Sequence, residues 1–185
     1  MYTGSNKTAL SSQQQIADAF VALLEKKPYA DISICEICKH AGVSRQTFYS
    51  LFASRENIVA YVLGKKHGYD PGETCGCRAV TLRELSVSYA DYITDKHTIL
   101  SLLVRNDIIY LMQESLCDSF LDCSSFLPGL DDAERSYGAE FCASGLTAIA
   151  KTYIRRGGAE SAEELERIIC RLFSGAFLAA RGLPD

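Results

Sequence analysis

Four places in the chain set a Ser or Thr three residues ahead of a Glu or Gln: Ser12/Gln15, Ser33/Glu36, Thr81/Glu84 and Ser161/Glu164. At that spacing the hydroxyl accepts a hydrogen bond from a helix's third N–H, and the longer side chain reaches back to the capping residue's own N–H. Two of the donors that every helix start leaves unpaired are then satisfied together. Each pair opens a run whose apolar residues recur three and four apart. Ile16, Phe20, Leu23 and Leu24 form the first stripe, closed by Pro28, and Leu165, Ile168, Ile169, Leu172 and Phe173 form the last, running toward Gly182. No stretch alternates with period two between turn dipeptides, so strand signals are nearly absent. The expected fold class is all-α.

Other helices are bounded less sharply. Ser54 can cap one through Ile58, Val59, Val62 and Leu63. Gly68 to Gly76, with three glycines and Pro71, has the composition of a linker. Helices are then expected from Thr81 to about Asp95, on to about Arg105, and from Asp107 to about Asp122. Pro128-Gly129 breaks the chain before a long helix from about Asp132 to Arg156. The linker suggests two domains, 1–66 and 67–185, within 185 residues.

Net charge is −4, but its distribution is uneven. Residues 1–66 carry eight Lys and Arg against five Asp and Glu, or +3, leaving −7 on the remainder. A basic end on an acidic body suits contact with a polyanion, although a chance fluctuation of a few charges gives the same count. The longest apolar run, Leu172 to Ala180, is too short to cross a bilayer. Met1 to Leu10 lacks a basic stretch followed by an apolar one. The expectation is a cytoplasmic protein without a membrane partner.

Residues 33–52, SICEICKHAGVSRQTFYSLF, concentrate the functional signal. Ser33 caps a short helix with Ile34, Ile37, Cys38 and Ala41 on one face. Gly42 stands where a helix end needs a left-handed backbone, and Val43 can plug the gap before Ser44 caps a second helix. That helix sends Phe48, Leu51 and Phe52 inward, leaving Arg45, Gln46, Thr47, Tyr49 and Ser50 largely outward. Two short helices joined by so tight a turn form a helix-turn-helix, whose second helix can enter the DNA major groove. Arg45 can donate bidentately to guanine, Gln46 can pair with adenine, and the Thr47 methyl can touch thymine. Tyr49 and Ser50 can donate to phosphates, and the Ser33 cap aims backbone amides at one. Tyr49 could instead simply pack its ring on the helix, and Arg45 and Gln46 could be merely solvated.

The sequence here resembles the tetracycline-repressor (TetR) family of bacterial transcription regulators. The resemblance is carried by Ile32-Ser33-Ile34, Ile37-Cys38, Ala41-Gly42-Val43-Ser44-Arg45, Thr47-Phe48-Tyr49, Phe52, Ser54-Arg55-Glu56-Asn57-Ile58, and the first helix's Ile16, Ala17, Ala19, Phe20, Leu23 and Leu24. It spans roughly residues 10–63. It implies a three-helix DNA-binding domain on an all-α domain for ligand binding and dimerisation. Such regulators bind palindromic double-stranded operator DNA as homodimers, usually as repressors, and are released by a small-molecule effector. Departures are Leu51 in place of a common His, Ala53 in place of a polar or basic residue, Cys38 for Ala, and Arg55 for Lys. Arg55 can still meet a phosphate.

The family's two-helix dimer seam maps by segment onto the last two long helices. Phe141, Gly145, Ile149, Ile169, Phe173 and Phe177 are the candidate interface. Tyr89, Tyr92, Tyr110, Met112 and Gln113 on the middle helices could line an effector cavity, and plain core packing explains each of them as well.

Eight cysteines raise an alternative. Cys35 and Cys38 form a C-x-x-C, and Cys75 and Cys77 a C-x-C, so a thiol- or metal-sensing regulator is conceivable. Positions 35 and 38 share a helix side only loosely, however, and Cys38 fits a core position. No metal and no cofactor is therefore expected. His40, His67 and His97 are scattered, and phosphate-loop and nucleophile-elbow patterns are absent. No enzyme is expected, and the runner-up is a helical ligand-binding or protein-interaction module without DNA binding.

Overall fold

The first helix starts at Lys7, more than a turn before Ser12, because Asn6 is the cap: its side chain accepts from the backbone N–H groups of Thr8 and Ala9. Asn is at least as good a cap as Ser, and the residues after it tolerate a helix, so Ser12 lies inside the helix rather than at its start. In the computed structural model, which describes residues 1–64, 81–123 and 126–175, the other three caps stand at their expected positions. Ser33 accepts from Glu36 N–H, and Thr81 and Ser161 form complete reciprocal boxes with Glu84 and Glu164. A third complete box, Asp131 with Glu134, escapes a search confined to Ser and Thr.

The described residues form nine α-helices and no strand. They are α1 (Lys7–Leu24), α2 (Ile34–Ala41), α3 (Arg45–Leu51), α4 (Arg55–Gly64), α5 (Leu82–Asp95), α6 (His97–Arg105), α7 (Tyr110–Asp122), α8 (Asp132–Arg155) and α9 (Ala162–Phe173), with a 3-10 turn at Tyr29–Asp31. Their order and bounds follow the apolar periodicity closely. The fold is all-α, an N-terminal helix-turn-helix unit followed by a helical one. The linker expected at 68–76, with Cys75 and Cys77, and Phe177 near the C-terminus lie outside the described residues. No described helix is long and apolar enough to cross a membrane.

Two compact units emerge. The first contains described residues 1–64 together with Leu102–Met112, so it is not continuous in sequence. Ile16, Phe20, Phe48, Phe52, Ile37 and Ile58 are fully buried in it. Each such side chain contributes on the order of 2 kcal/mol through removal from water. The distant segment is tied in by directed bonds. Arg105 Nη2 donates to the Leu24 and Glu25 carbonyls at 3.0 and 3.1 Å, satisfying acceptors that the end of α1 leaves open. Asn106 Oδ1 accepts from Tyr29 N–H at 2.9 Å.

The second unit is built from the remaining described residues. In it α9 packs along α5, with Leu165 and Ile169 buried. The Cys170 thiol donates to Ser86 Oγ across the pair at 3.2 Å. The buried Tyr89 hydroxyl donates to the Leu146 carbonyl at 2.8 Å. A large polar tip can be taken into this core only because it finds such an acceptor.

Candidate nucleic-acid interface

The turn between α2 and α3 is made by Gly42, at φ 67° and ψ 28°. Its N–H and that of Val43 both reach the Cys38 carbonyl, which ends α2 and redirects the chain within three residues. Ser44 then caps α3: its hydroxyl accepts from Thr47 N–H at 3.0 Å and shares a 2.9 Å hydrogen bond with Thr47 Oγ1. On α3 the apolar residues turn inward, Phe48 at 0% and Leu51 at 4% exposure. Phe48 packs edge-on to Tyr49 and tilted against Phe52.

The opposite flank faces solvent. Arg45, Gln46 and Ser50 are exposed, Thr47 is half-buried, and Tyr49 is 57% exposed. Tyr49 is therefore not absorbed into the core. These side chains share one accessible strip on a seven-residue helix. Such a strip can lie against base edges while Tyr49 reaches toward a backbone. Ser50 Oγ donates to the Thr47 carbonyl at 2.8 Å, which engages its proton within the helix. Ser33 is exposed at the start of α2, its hydroxyl occupied by Glu36 N–H at 3.2 Å.

Two neighbours modify this strip in ways that spacing alone does not reveal. The Cys35 side chain neighbours Arg45, and its interaction with the guanidinium pushes the Arg45 pKa further up. Arg55 is half-buried, and its Nη1 donates to the carbonyls of Tyr29, at 3.0 Å, and Ile32. That bond to Ile32 steadies the residue preceding the Ser33 cap, so Arg55 holds the entrance to α2.

The cysteine pair divides: Cys35 is exposed and Cys38 buried, and burial raises the Cys38 thiol pKa. Among the described residues no three His, Cys, Asp or Glu side chains gather as a metal site would require.

The five middle-helix residues proposed to line a cavity divide between the two units. Tyr110 and Met112 belong to the first unit, whereas Tyr89, Tyr92 and Gln113 belong to the second. Tyr89 is 1% exposed and stacks on Tyr92 with centroids 6.0 Å apart, which is core packing. One open cleft of about 500 Å³ lies in the first unit by Lys26, Tyr29, Arg105 and Asn106, and a groove of about 600 Å³ runs between α8 and α9. Neither is lined by any of the five.

The expected dimer residues largely hold to one face, with one correction. Phe141 is 71% exposed and its ring meets Phe173 at 6.3 Å, beside Gly145, whose modest size admits the Phe173 ring. Ile149 borders the groove. Ile169, however, is fully buried within the protomer against α5 and has no surface to offer a second chain. The adjacent pair Ile168 and Leu172, 39% and 43% exposed, occupies the outward stripe instead. Helical geometry turns each neighbouring residue by about 100°, so both stripes satisfy the same apolar spacing.

The family model described as bacterial regulatory proteins, tetR family, matches residues 16–62, which run from mid-α1 through α4. The transcriptional regulator EthR of Mycobacterium tuberculosis is 46% identical over 43 residues, 23% of this chain and 20% of its own length. The match thus spans about a fifth of that relative. Among solved structures, Lin0861 from Listeria innocua is similar over 96% of both chains with a TM-score of 0.75 at 12% identity. A TetR transcriptional regulator from Streptococcus agalactiae 2603V is similar over 90% of this chain and 95% of its own, with a TM-score of 0.57 at 17% identity. The structural likeness carries the fold, and the tetR-family match is carried by α1 to α4, the helix-turn-helix segment of residues 16–62.

Proposed function

We propose that the chain is a cytoplasmic, DNA-binding transcriptional regulator that represses by occupying a palindromic operator as a homodimer. The observation that carries this reading is the division of α3 into a buried Phe48/Leu51 side and an accessible strip of Arg45, Gln46, Tyr49 and Ser50. Residues 1–66 act as the DNA-binding domain and 67–185 as the regulatory and dimerising one. Arg45, Gln46 and Thr47 read base edges. Tyr49, the α2 start at Ser33 and the outer part of the Arg55 guanidinium meet phosphates, joined by Ser50 once its hydroxyl turns from the Thr47 carbonyl, while Ser44 holds the helix start.

Dimerisation supplies the second recognition helix, since half-sites lie one DNA turn, about 34–36 Å, or a multiple apart. The exposed apolar side chains of α8 and α9 support that role, because Phe141 and Leu172 on a lone protomer would leave a large apolar surface in water. A small-molecule effector that favours the arrangement with the wrong half-site spacing would lower operator affinity by shifting the population. No catalytic role is assigned.

Footprinting of the purified protein on DNA upstream of its own gene tests the proposal, followed by a screen for compounds that abolish the footprint. A protected palindrome supports it. Absence of any protected region at low salt, where phosphate contacts are strongest, would leave a helical interaction module in its place.

A further inference from the structure

The recognition helix is closed at its far end by residues outside the helix-turn-helix. Tyr2 N–H donates to the Leu51 carbonyl at 3.0 Å, filling one of the acceptors that the end of α3 leaves open. The Tyr2 carbonyl in turn accepts from the Gln13 side-chain amide at 3.0 Å. Gln13 is 1% exposed, on the α1 face that otherwise buries Ile16, Ala17 and Phe20. A primary amide in such a place costs free energy unless it is bonded, so the side chain there is explained by what it holds. The segment is locally folded too, because Asn6 N–H donates to the Tyr2 hydroxyl at 3.2 Å just before α1 begins.

Seven residues of helix span only about 10 Å, and base readout by bidentate pairs tolerates little tilt. Ser44 secures one end of α3, and Tyr2 with Gln13 secures the other. We propose that Gln13 and the Tyr2 peptide form a clamp that sets the inclination of α3, which makes Gln13 a positioning residue for sequence discrimination. The inference rests on the DNA-binding reading above. The clamp acts through Leu51 and touches no base.

Gln13→Leu keeps the buried volume and removes the donor. Tyr2→Pro removes the N–H, and Tyr2→Phe keeps it. Full-length variants are compared by amide hydrogen exchange of residues 48–52 in free protein, and by affinity for the footprinted duplex and a random-sequence duplex at one salt concentration. Gln13→Leu and Tyr2→Pro are expected to speed exchange at 48–52 and to lose about tenfold on the footprinted duplex only, as a misplaced base contact does. Tyr2→Phe, which keeps the N–H to Leu51 and loses only the exposed bond from Asn6 N–H, is expected to stay far closer to the parent than Tyr2→Pro in both measurements. Unchanged exchange, or an equal loss on both duplexes, overturns the clamp. If Gln13→Leu fails to fold, Tyr2→Pro against Tyr2→Phe decides alone. If the parent protein itself does not distinguish the duplexes, the DNA-binding reading fails, while the exchange data still judge the clamp.

Discussion

Arg55 lays its guanidinium carbon 4.4 Å from the centroid of the Tyr29 ring while its Nη1 donates to the Tyr29 carbonyl at 3.0 Å. One side chain thus grips both the π face and the backbone of the turn that leads into α2. Lysine could supply the charge but not the flat stack or the forked donors. Arg55→Lys is expected to lower stability by about 1–2 kcal/mol in urea titrations, from the lost stack and one lost hydrogen bond. A midpoint equal to the parent's would assign the stacked geometry no energetic role.

The same tyrosine sets up a pH dependence. Its hydroxyl donates to Glu56 Oε1 at 2.5 Å, and this bond, outweighing desolvation and helped by Ser54, holds the Glu56 carboxyl below its ordinary range. A depressed folded pKa means stability that is present above the unfolded value of about 4.3 and disappears as pH falls through the folded value. Glu56→Gln, unable to titrate, should therefore flatten the decline in Tm between about pH 5 and pH 3 relative to the parent. Because Glu36, Glu160 and Glu163 are also held low, the decisive quantity is the difference between the two curves. Parallel curves would disprove the contribution of Glu56.

On the DNA side, Arg45 and Tyr49 should fail differently. Arg45→Ala is expected to cost about 1–3 kcal/mol of operator affinity and to relax base preference at one position of each half-site. Tyr49→Phe removes a phosphate donor, so its loss should be smaller and nearly uniform across sequences. Gel shifts on single-base operator variants separate the two patterns. An Arg45→Ala protein with parental affinity would remove Arg45 from base reading.

Gly42 offers a stability test free of packing effects. A Cβ added there would meet nothing within 4 Å, so the cost of Gly42→Ala is that of a left-handed backbone alone. About 1–2 kcal/mol is expected, by chemical denaturation, with the fold retained.

These residues also mark the limit of what the sequence makes legible. Helix order, the caps at Ser33, Ser44, Thr81 and Ser161, the Gly42 turn and the Phe48 core all follow from local spacing, and local spacing is visible in a string of letters. Bonds such as Arg105 to Leu24, or Tyr2 to Leu51, join residues tens of positions apart with no shared period, so nothing in the string announces them. A polar Gln13 at the core spacing of Ile16, Ala17 and Phe20 was the one clue to the latter. Ile169 misled for a related reason, and Tyr89 stayed open between core and cavity for the same one. An aromatic or aliphatic residue at helical spacing must be buried somewhere, but spacing does not say whether the burying surface is the protomer, a ligand or a second chain.

The outward stripes of α8 and α9 lead to a prediction about assembly. Phe141 is 71% and Leu172 43% exposed, and neither is needed to complete the protomer's own core. A polar replacement at so exposed a site changes monomer stability by only about 0.5 kcal/mol or less. Burying a glutamate in the middle of a paired interface, by contrast, costs far more than that, because the charge loses water without gaining a partner. Phe141→Glu should thus move the sedimentation coefficient at micromolar concentration from dimer to monomer while leaving far-UV circular dichroism unchanged. Operator affinity should fall with it, since a monomer engages one half-site and forfeits the second. A variant that remains dimeric would place the seam on another face of the second unit.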